Sequence, residues 1–220
     1  MSQEVPVLTI DGPSGAGKGT VSREVARRLG WHYLDSGAIY RALAVEMLDA
    51  DLSDFDESCA IEAASRMDLR FVFDPEFAVI LSGRDISAEI QSENCGNAAS
   101  RLAAMPGVRN ALVEKQRVFR CAPGLVADGR DMGTVIFPNA PFKIFLTANP
   151  RIRAERRVKQ LKEKGMDVNL EQIISDLSER DRRDATRATA PLRPAPGALL
   201  IDSSEMTIDQ VVQRVVNEVG

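Results

Sequence analysis

The sequence predicts an α/β protein with a doubly wound, five-stranded parallel sheet. Three observations lead there. Short apolar runs at residues 5–10, 31–35, 125–129, 142–147 and 198–202 alternate with segments of helical periodicity. The first run leads, through Asp11, into Gly12-Pro13-Ser14-Gly15-Ala16-Gly17-Lys18-Gly19-Thr20 and then into a helical pattern. Between the second and third runs lie two aromatic and β-branched stretches split by a polar turn, an antiparallel hairpin set into the parallel series.

The glycine-rich stretch carries the densest chemistry. After it Val21, Val25, Ala26 and Leu29 recur at helical spacing, and Gly30 is a stop signal. Strand, glycine loop, helix is the setting in which G-x-x-x-x-G-K binds phosphate. Glycines let successive backbone N–H groups turn inward, because no Cβ blocks the turn or the ligand. The helix opening near Lys18 adds its own N–H groups and positive dipole end. Lys18 reaches the β- and γ-phosphates of a nucleotide as a mobile point charge. Gly12, Pro13, Ser14, Gly15, Ala16, Gly17, Lys18, Gly19 and Thr20 are therefore the candidate nucleotide-binding residues. The position after Lys18 is Gly19, where the usual loop has Ser or Thr on Mg²⁺; Thr20 can serve a phosphate oxygen. Waters and carboxylates elsewhere then have to hold the ion, and no residue is singled out as a direct metal ligand.

Composition narrows the classes. A length of 220 residues suits one domain, or one domain with insertions, and the net charge of −4 argues against a general nucleic-acid binder. No apolar run of about 18 residues exists to span a membrane. Residues 1–4 lack the features of a signal peptide, so a cytoplasmic location is expected. Cys59, Cys95 and Cys121 are widely spaced and read as reduced thiols. His32 is the sole histidine, which argues against Ser-His-Asp hydrolysis; it is expected to pack beside Trp31 at the start of a strand.

In chain order, Ser36-Gly37 turns the second strand into a helix on which Ile39, Leu43 and Met47 repeat every four residues. Ser36 and Arg41 lie just beyond a strand's carboxyl end, where open α/β sheets bind ligands; a solvated helix charge is the alternative for Arg41. Residues 49–57 are an acidic connection and 59–67 a short helix. Residues 69–73 and 77–81 form the hairpin around Asp74-Pro75-Glu76, with a third short strand near residues 82–86. Residues 97–104 and 108–120 read as helices interrupted at Pro106-Gly107; Ser100 and Arg109 read as surface polar residues there. Asp128-Gly129-Arg130-Asp131 closes an apolar run, where two carboxylates and an arginine can meet the phosphate loop. The alternative is an Asx turn with a structural ion pair.

Asn149-Pro150 opens a charge-dense section. Residues 150–194 hold twelve Lys or Arg and eight Asp or Glu, net +4, so the rest carries −8. Arg153, Arg156, Arg157, Arg180, Arg182, Arg183 and Arg187 supply much of this, and a polyphosphate ligand explains the imbalance better than a charged helix surface. Gly165 separates two helices, and an extended connector follows, an arrangement suited to a lid that excludes water from the transfer. Thr207 caps a last helix carrying Ile208, Val211, Val212, Val215, Val216 and Val219.

Four stretches carry a family resemblance: IDGPSGAGKGT at 10–20, LDSGAIYRA at 34–42, ADGRDMGTVIFP at 127–138 and ERDRRDATRATAPL at 179–192. The chain resembles the bacterial cytidylate kinases, within the P-loop nucleoside monophosphate kinases, nearly end to end. The hairpin region is similar to that family's monophosphate-binding insertion, and Gly19 is shared with the family. The resemblance implies transfer of a phosphoryl group from ATP, with Mg²⁺, to CMP or dCMP. It implies that Ser36, Arg41, Arg130 and Arg180 hold the acceptor phosphate. Ser100, Arg109 and Arg187 would read the cytosine, Asp131 and Asp184 would contact base or sugar, and Arg157 would belong to the lid. Lys18, Arg130, Asp131, Arg180 and Arg157 are then the candidate catalytic set.

The expected division is a core of residues 1–61, 109–149 and 195–220, a monophosphate-binding insertion at 62–108 and a lid at 150–194. The protein is expected to act as a monomer on small-molecule substrates, without nucleic-acid or membrane partners. The nearest alternative is a kinase for another nucleoside monophosphate such as UMP or AMP, against which the trio Ser100, Arg109 and Arg187 speaks. A P-loop switch is more distant, since Thr147-Ala148-Asn149-Pro150 lacks the Asn-Lys-x-Asp guanine signature.

Overall fold

A computed structural model describes residues 4–49, 56–73, 77–163, 165 and 167–220. The hairpin turn at 74–76 and most of the acidic connection, at 50–55, lie outside the described residues. The chain divides into two compact units, Met1–Leu34 with Arg117–Gly220, and Asp35–Gln116.

The first unit carries the parallel sheet. Its strands are β1 (Val7–Asp11), β2 (His32–Asp35), β6 (Leu125–Gly129), β7 (Phe142–Thr147) and β8 (Leu199–Asp202), in the order β2-β6-β1-β7-β8. β1 is central, parallel to β6 on one side and β7 on the other. All five residues of both β1 and β6 are buried, as runs this apolar require of a sheet covered on both faces. Leu8, Ile10, Leu125 and Ile144 are at most 1% exposed and form the centre of the core. Helix α1 (Lys18–Leu29) packs on β1 and β6 through Val21, Val25 and Ala26, and on α8 (Ile208–Val219). Thr207 caps α8 through a reciprocal capping box with Gln210. His32 does open β2, but it is exposed and its Nε2 lies 2.9 Å from the Ala122 carbonyl.

Helices α6 (Pro150–Lys162) and α7 (Leu170–Thr186) also belong to this unit. Asn149 caps α6 and Asn169 caps α7, each through its side-chain oxygen. The two helices share an apolar seam, with Ala154 and Leu161 packed against Ile173 and Leu177. The charge pattern masked this seam, which gives the arginine-rich section a core of its own.

The second unit is mainly helical. Helix α2 (Ser36–Asp49) begins at Ser36, so Ser36-Gly37 forms its first turn, not a separate loop. α3 (Glu57–Arg66) follows, then the antiparallel sheet of β3 (Leu69–Phe73), β4 (Phe77–Leu81) and β5 (Arg84–Asp85). α4 (Glu93–Leu102) packs on α2, and α5 (Pro106–Arg117) opens at Pro106. The break between α4 and α5 therefore precedes Pro106-Gly107: proline is accommodated in the first turn, where its missing N–H has no partner to lose.

Candidate functional site

The phosphate loop bridges the end of β1 and the start of α1. Gly12 sits so close to β7 that a Cβ there would stand 1.9 Å from the Leu146 carbonyl oxygen, so only glycine fits. Three carbonyls of the loop are held by side chains. Lys18 Nζ donates to Pro13 O at 3.0 Å, an Arg153 guanidinium N–H to Ser14 O at 2.8 Å, and Ser203 Oγ to Ala16 O at 3.3 Å. Ser203, on the loop after β8, is itself held by Arg156, which donates to its carbonyl at 2.6 Å and its hydroxyl at 3.1 Å.

The segment after β6 lies against this loop. Arg130 Nε donates to Asp184 Oδ2 of α7 at 2.8 Å, and a terminal nitrogen reaches Ser14 Oγ at 2.6 Å. Burial opposes the charge on Arg130, but Asp184, with Asp128 and Asp181 behind it, holds the guanidinium above its ordinary pKa. Asp131 is buried and lies 3.7 Å from Arg187, whose Nε donates to Ala190 O at 2.6 Å. Asp11, the last residue of β1, accepts the backbone N–H groups of Met132 and Gly133, both at 2.8 Å. It thereby fixes a π-helical turn at Met132–Ile136 that the sequence pattern does not announce. Burial pushes the Asp11 carboxyl up to about 6; those two donors and Lys18 work against the rise, and Asp131 adds to it.

Buried charge is the signature of this unit. Lys18, Asp11, Asp128, Asp131, Arg153, Arg180, Asp184 and Arg187 are all buried. Concentrating so many charges at one end of a sheet is costly unless pairing and function retain them. Arg180 is on α7, and Arg157, on α6, donates to Gln160 at 2.8 Å.

The other predicted residues are in the second unit. Ser36 Oγ donates to Gln116 Oε1 at 2.6 Å in a buried pair. Arg41 donates to the Ile90 carbonyl from half-buried surroundings. Arg109 is buried, donates to Ala103 O at 3.2 Å and lies over the Tyr40 ring, 5.9 Å from its centre. Ser100 Oγ is buried with no hydrogen-bond partner among the described residues. Ser100 and Arg109 are therefore not the solvated surface residues that the pattern alone suggests. A buried hydroxyl of this kind takes its partner from a water or a ligand.

The donor set also bears on Mg²⁺. Gly19 offers no hydroxyl, but Asp128 Oδ2 lies 3.5 Å from the position of a Cβ on Gly19, and Tyr33 OH lies 3.3 Å from the same oxygen. Among the described residues no group of three or more His, Cys, Asp or Glu could hold a metal ion. One carboxylate beside a phosphate loop fits an ion that keeps most of its waters and takes its other ligands from phosphate.

In the first unit the structure thus gathers the loop, Arg130, Asp131, Asp184 and Arg187 into linked contacts. Sequence reasoning missed Asp11 and Ser203 in this unit, and in the second unit Gln116 as the partner of Ser36. It assigned Arg153 and Arg156 to a polyphosphate, whereas both guanidinium groups hold protein carbonyls around the loop.

The family model for cytidylate kinase matches residues 8–220. A cytidylate kinase of Methylococcus capsulatus is 59% identical over 97% of this chain and 96% of its own length. One from Aeromonas hydrophila is 54% identical over 98% of this chain and 94% of its own. One from Shewanella denitrificans is 50% identical, covering 100% of this chain and 98% of its own. With identity at this level along nearly the whole length, the chain belongs to the cytidylate kinase family.

Proposed function

We propose that the protein transfers the γ-phosphoryl group of ATP to CMP or dCMP, giving ADP and CDP or dCDP. The full-length match to the cytidylate kinase family carries this reading. It favours neither a kinase for UMP or AMP nor a nucleotide switch.

Residues 12–20 take the donor phosphates on backbone N–H groups, and Lys18 leaves Pro13 O for the β- and γ-phosphates. Asp128 would hold Mg²⁺ through the waters of the ion, which would supply charge neutralisation at the donor phosphate oxygens. Ser36, Arg41, Arg130 and Arg180 hold the acceptor phosphate. An oxygen of that phosphate attacks the γ-phosphorus as the bond to the β-bridging oxygen breaks. A phosphate monoester is already largely ionised at pH 7, with a second pKa near ~6, so no strong base is needed. Alignment and neutralisation of spreading charge by Lys18, Arg130, Arg180 and Arg157 supply the catalysis. Ser100, Arg109 and Arg187 read the cytosine, and Asp131 and Asp184 contact base or sugar; a carboxylate can accept from the exocyclic amine of cytosine. Residues 150–194 act as the lid and 62–108 as the monophosphate-binding insertion. The reaction takes place in the cytoplasm and a single chain suffices for it.

The test is a coupled assay of ADP release with ATP-Mg²⁺ and CMP, dCMP, UMP, AMP, GMP or dTMP offered separately. Strong turnover with CMP and dCMP and weak turnover with UMP is expected. Turnover confined to AMP or GMP would overturn the base-reading roles.

A further inference from the structure

We infer that Arg153 is a positioning residue for the donor-phosphate cradle: it fixes the direction of the Gly15 N–H and anchors that setting to α7 through Asp181. The inference deepens the reading above, resting on the loop as the holder of ATP phosphates.

A trans peptide points its C=O and N–H in opposite directions. The peptide joining Ser14 and Gly15 has its carbonyl held by Arg153 at 2.8 Å, on the α6 side of the loop. Its N–H, that of Gly15, is thereby turned away from α6. Without the guanidinium the Ser14 carbonyl would lose its partner, and this peptide could rotate to place an oxygen where a phosphate needs a donor.

Two further contacts make Arg153 rigid enough for this task. Its Nε donates to Ala148 O at 3.0 Å, at the junction of β7 and α6. Its other terminal nitrogen lies 2.7 Å from Asp181 Oδ2, with the arginine side chain 6% exposed. Three directed donors from one planar group define an orientation that a single ammonium cannot. The loop is also seated directly on this residue: a Cβ on Gly15 would stand 3.0 Å from Arg153 Cβ and 3.1 Å from its carbonyl oxygen.

The Asp181 contact extends the device. Asp181 and Asp184 sit one turn apart on α7, and each binds an arginine that also binds Ser14. Arg153 takes the Ser14 carbonyl and Arg130 its hydroxyl. The tip of the loop is therefore tied twice to the helix that carries Arg180 and ends just before Arg187.

The experiment measures ADP binding by calorimetry and steady-state kinetics for the wild type, Arg153→Ala, Arg153→Lys and Asp181→Asn. Arg153→Ala should weaken ADP binding and lower kcat/KM for ATP by roughly 10²-fold, with KM for CMP little changed, as expected of a misplaced donor. Arg153→Lys should recover part of the loss. Asp181→Asn, which keeps the Ser14 contact, should show a smaller loss on the same side. Wild-type ADP affinity and KM for ATP in Arg153→Ala would overturn the inference, as would equal losses on ATP and CMP. If Arg153→Ala does not fold, wild-type behaviour of both Arg153→Lys and Asp181→Asn would overturn it. A wild-type protein that binds no ADP would overturn the underlying reading as well, which separates the two failures.

Discussion

Arg130 and Asp184 meet at 2.8 Å across the gap between the end of β6 and α7, and the aspartate side chain is only 10% exposed. The pair keeps a charge-rich segment folded against the phosphate loop before any anion arrives. Arg130→Ala should therefore do two things. It should lower kcat by about 10²–10³-fold through lost charge neutralisation. It should also destabilise the fold by about 1–3 kcal/mol, less than a fully buried pair because the guanidinium is 24% exposed. Turnover and urea unfolding of the variant check both, and unchanged turnover would remove Arg130 from the transfer.

Lys18 is 6% exposed and donates to the Pro13 carbonyl of the loop. Lys18→Ala should cut turnover by about 10²–10³-fold while circular dichroism stays native. Near-normal turnover would contradict its role at the phosphates.

Asp11 makes stability depend on pH in a definite direction. An Asp titrates at 3.8 without perturbation and at about 6 here, so folding favours the protonated form. Its contribution is fully present below 3.8 and is lost as pH rises through 6. The difference in unfolding free energy between the wild type and Asp11→Asn should grow by about 2 kcal/mol as pH falls from about 7 to about 4. Urea titrations of both proteins across that range measure it; a flat difference would show that Asp11 keeps an ordinary pKa.

Arg187 lies 3.7 Å from Asp131 and donates to the Ala190 carbonyl. Arg187→Ala should raise KM for CMP by roughly 10-fold or more and leave ADP affinity near the wild-type value. Equal weakening of both nucleotides would move Arg187 to the phosphates.

The elements were legible because their signals are local. The strand before Gly12, the helix after Lys18 and the hairpin pattern at 69–81 each rest on neighbouring residues, and each formed as read. The phosphate loop was legible for the same reason. Partnerships across the chain were not. Nothing local to Asp11 says that it caps a turn at Met132–Ile136, and a run of arginines does not say which guanidinium turns inward. Arg153 and Arg157 look alike in sequence. They differ because Arg153 lies on the face of α6 that meets the loop, while Arg157 lies one turn further on. Ser100 and Arg109 looked solvated because α4 and α5 carry too few apolar residues to reveal which face is covered.

The most direct measurement follows the phosphorus itself. The protein is incubated with ATP labelled at the γ-phosphate, Mg²⁺ and unlabelled CMP, and the products are separated by chromatography. The label should leave ATP and appear in CDP, in step with ADP. Label recovered only as inorganic phosphate, or retained in ATP while CMP is untouched, would contradict it.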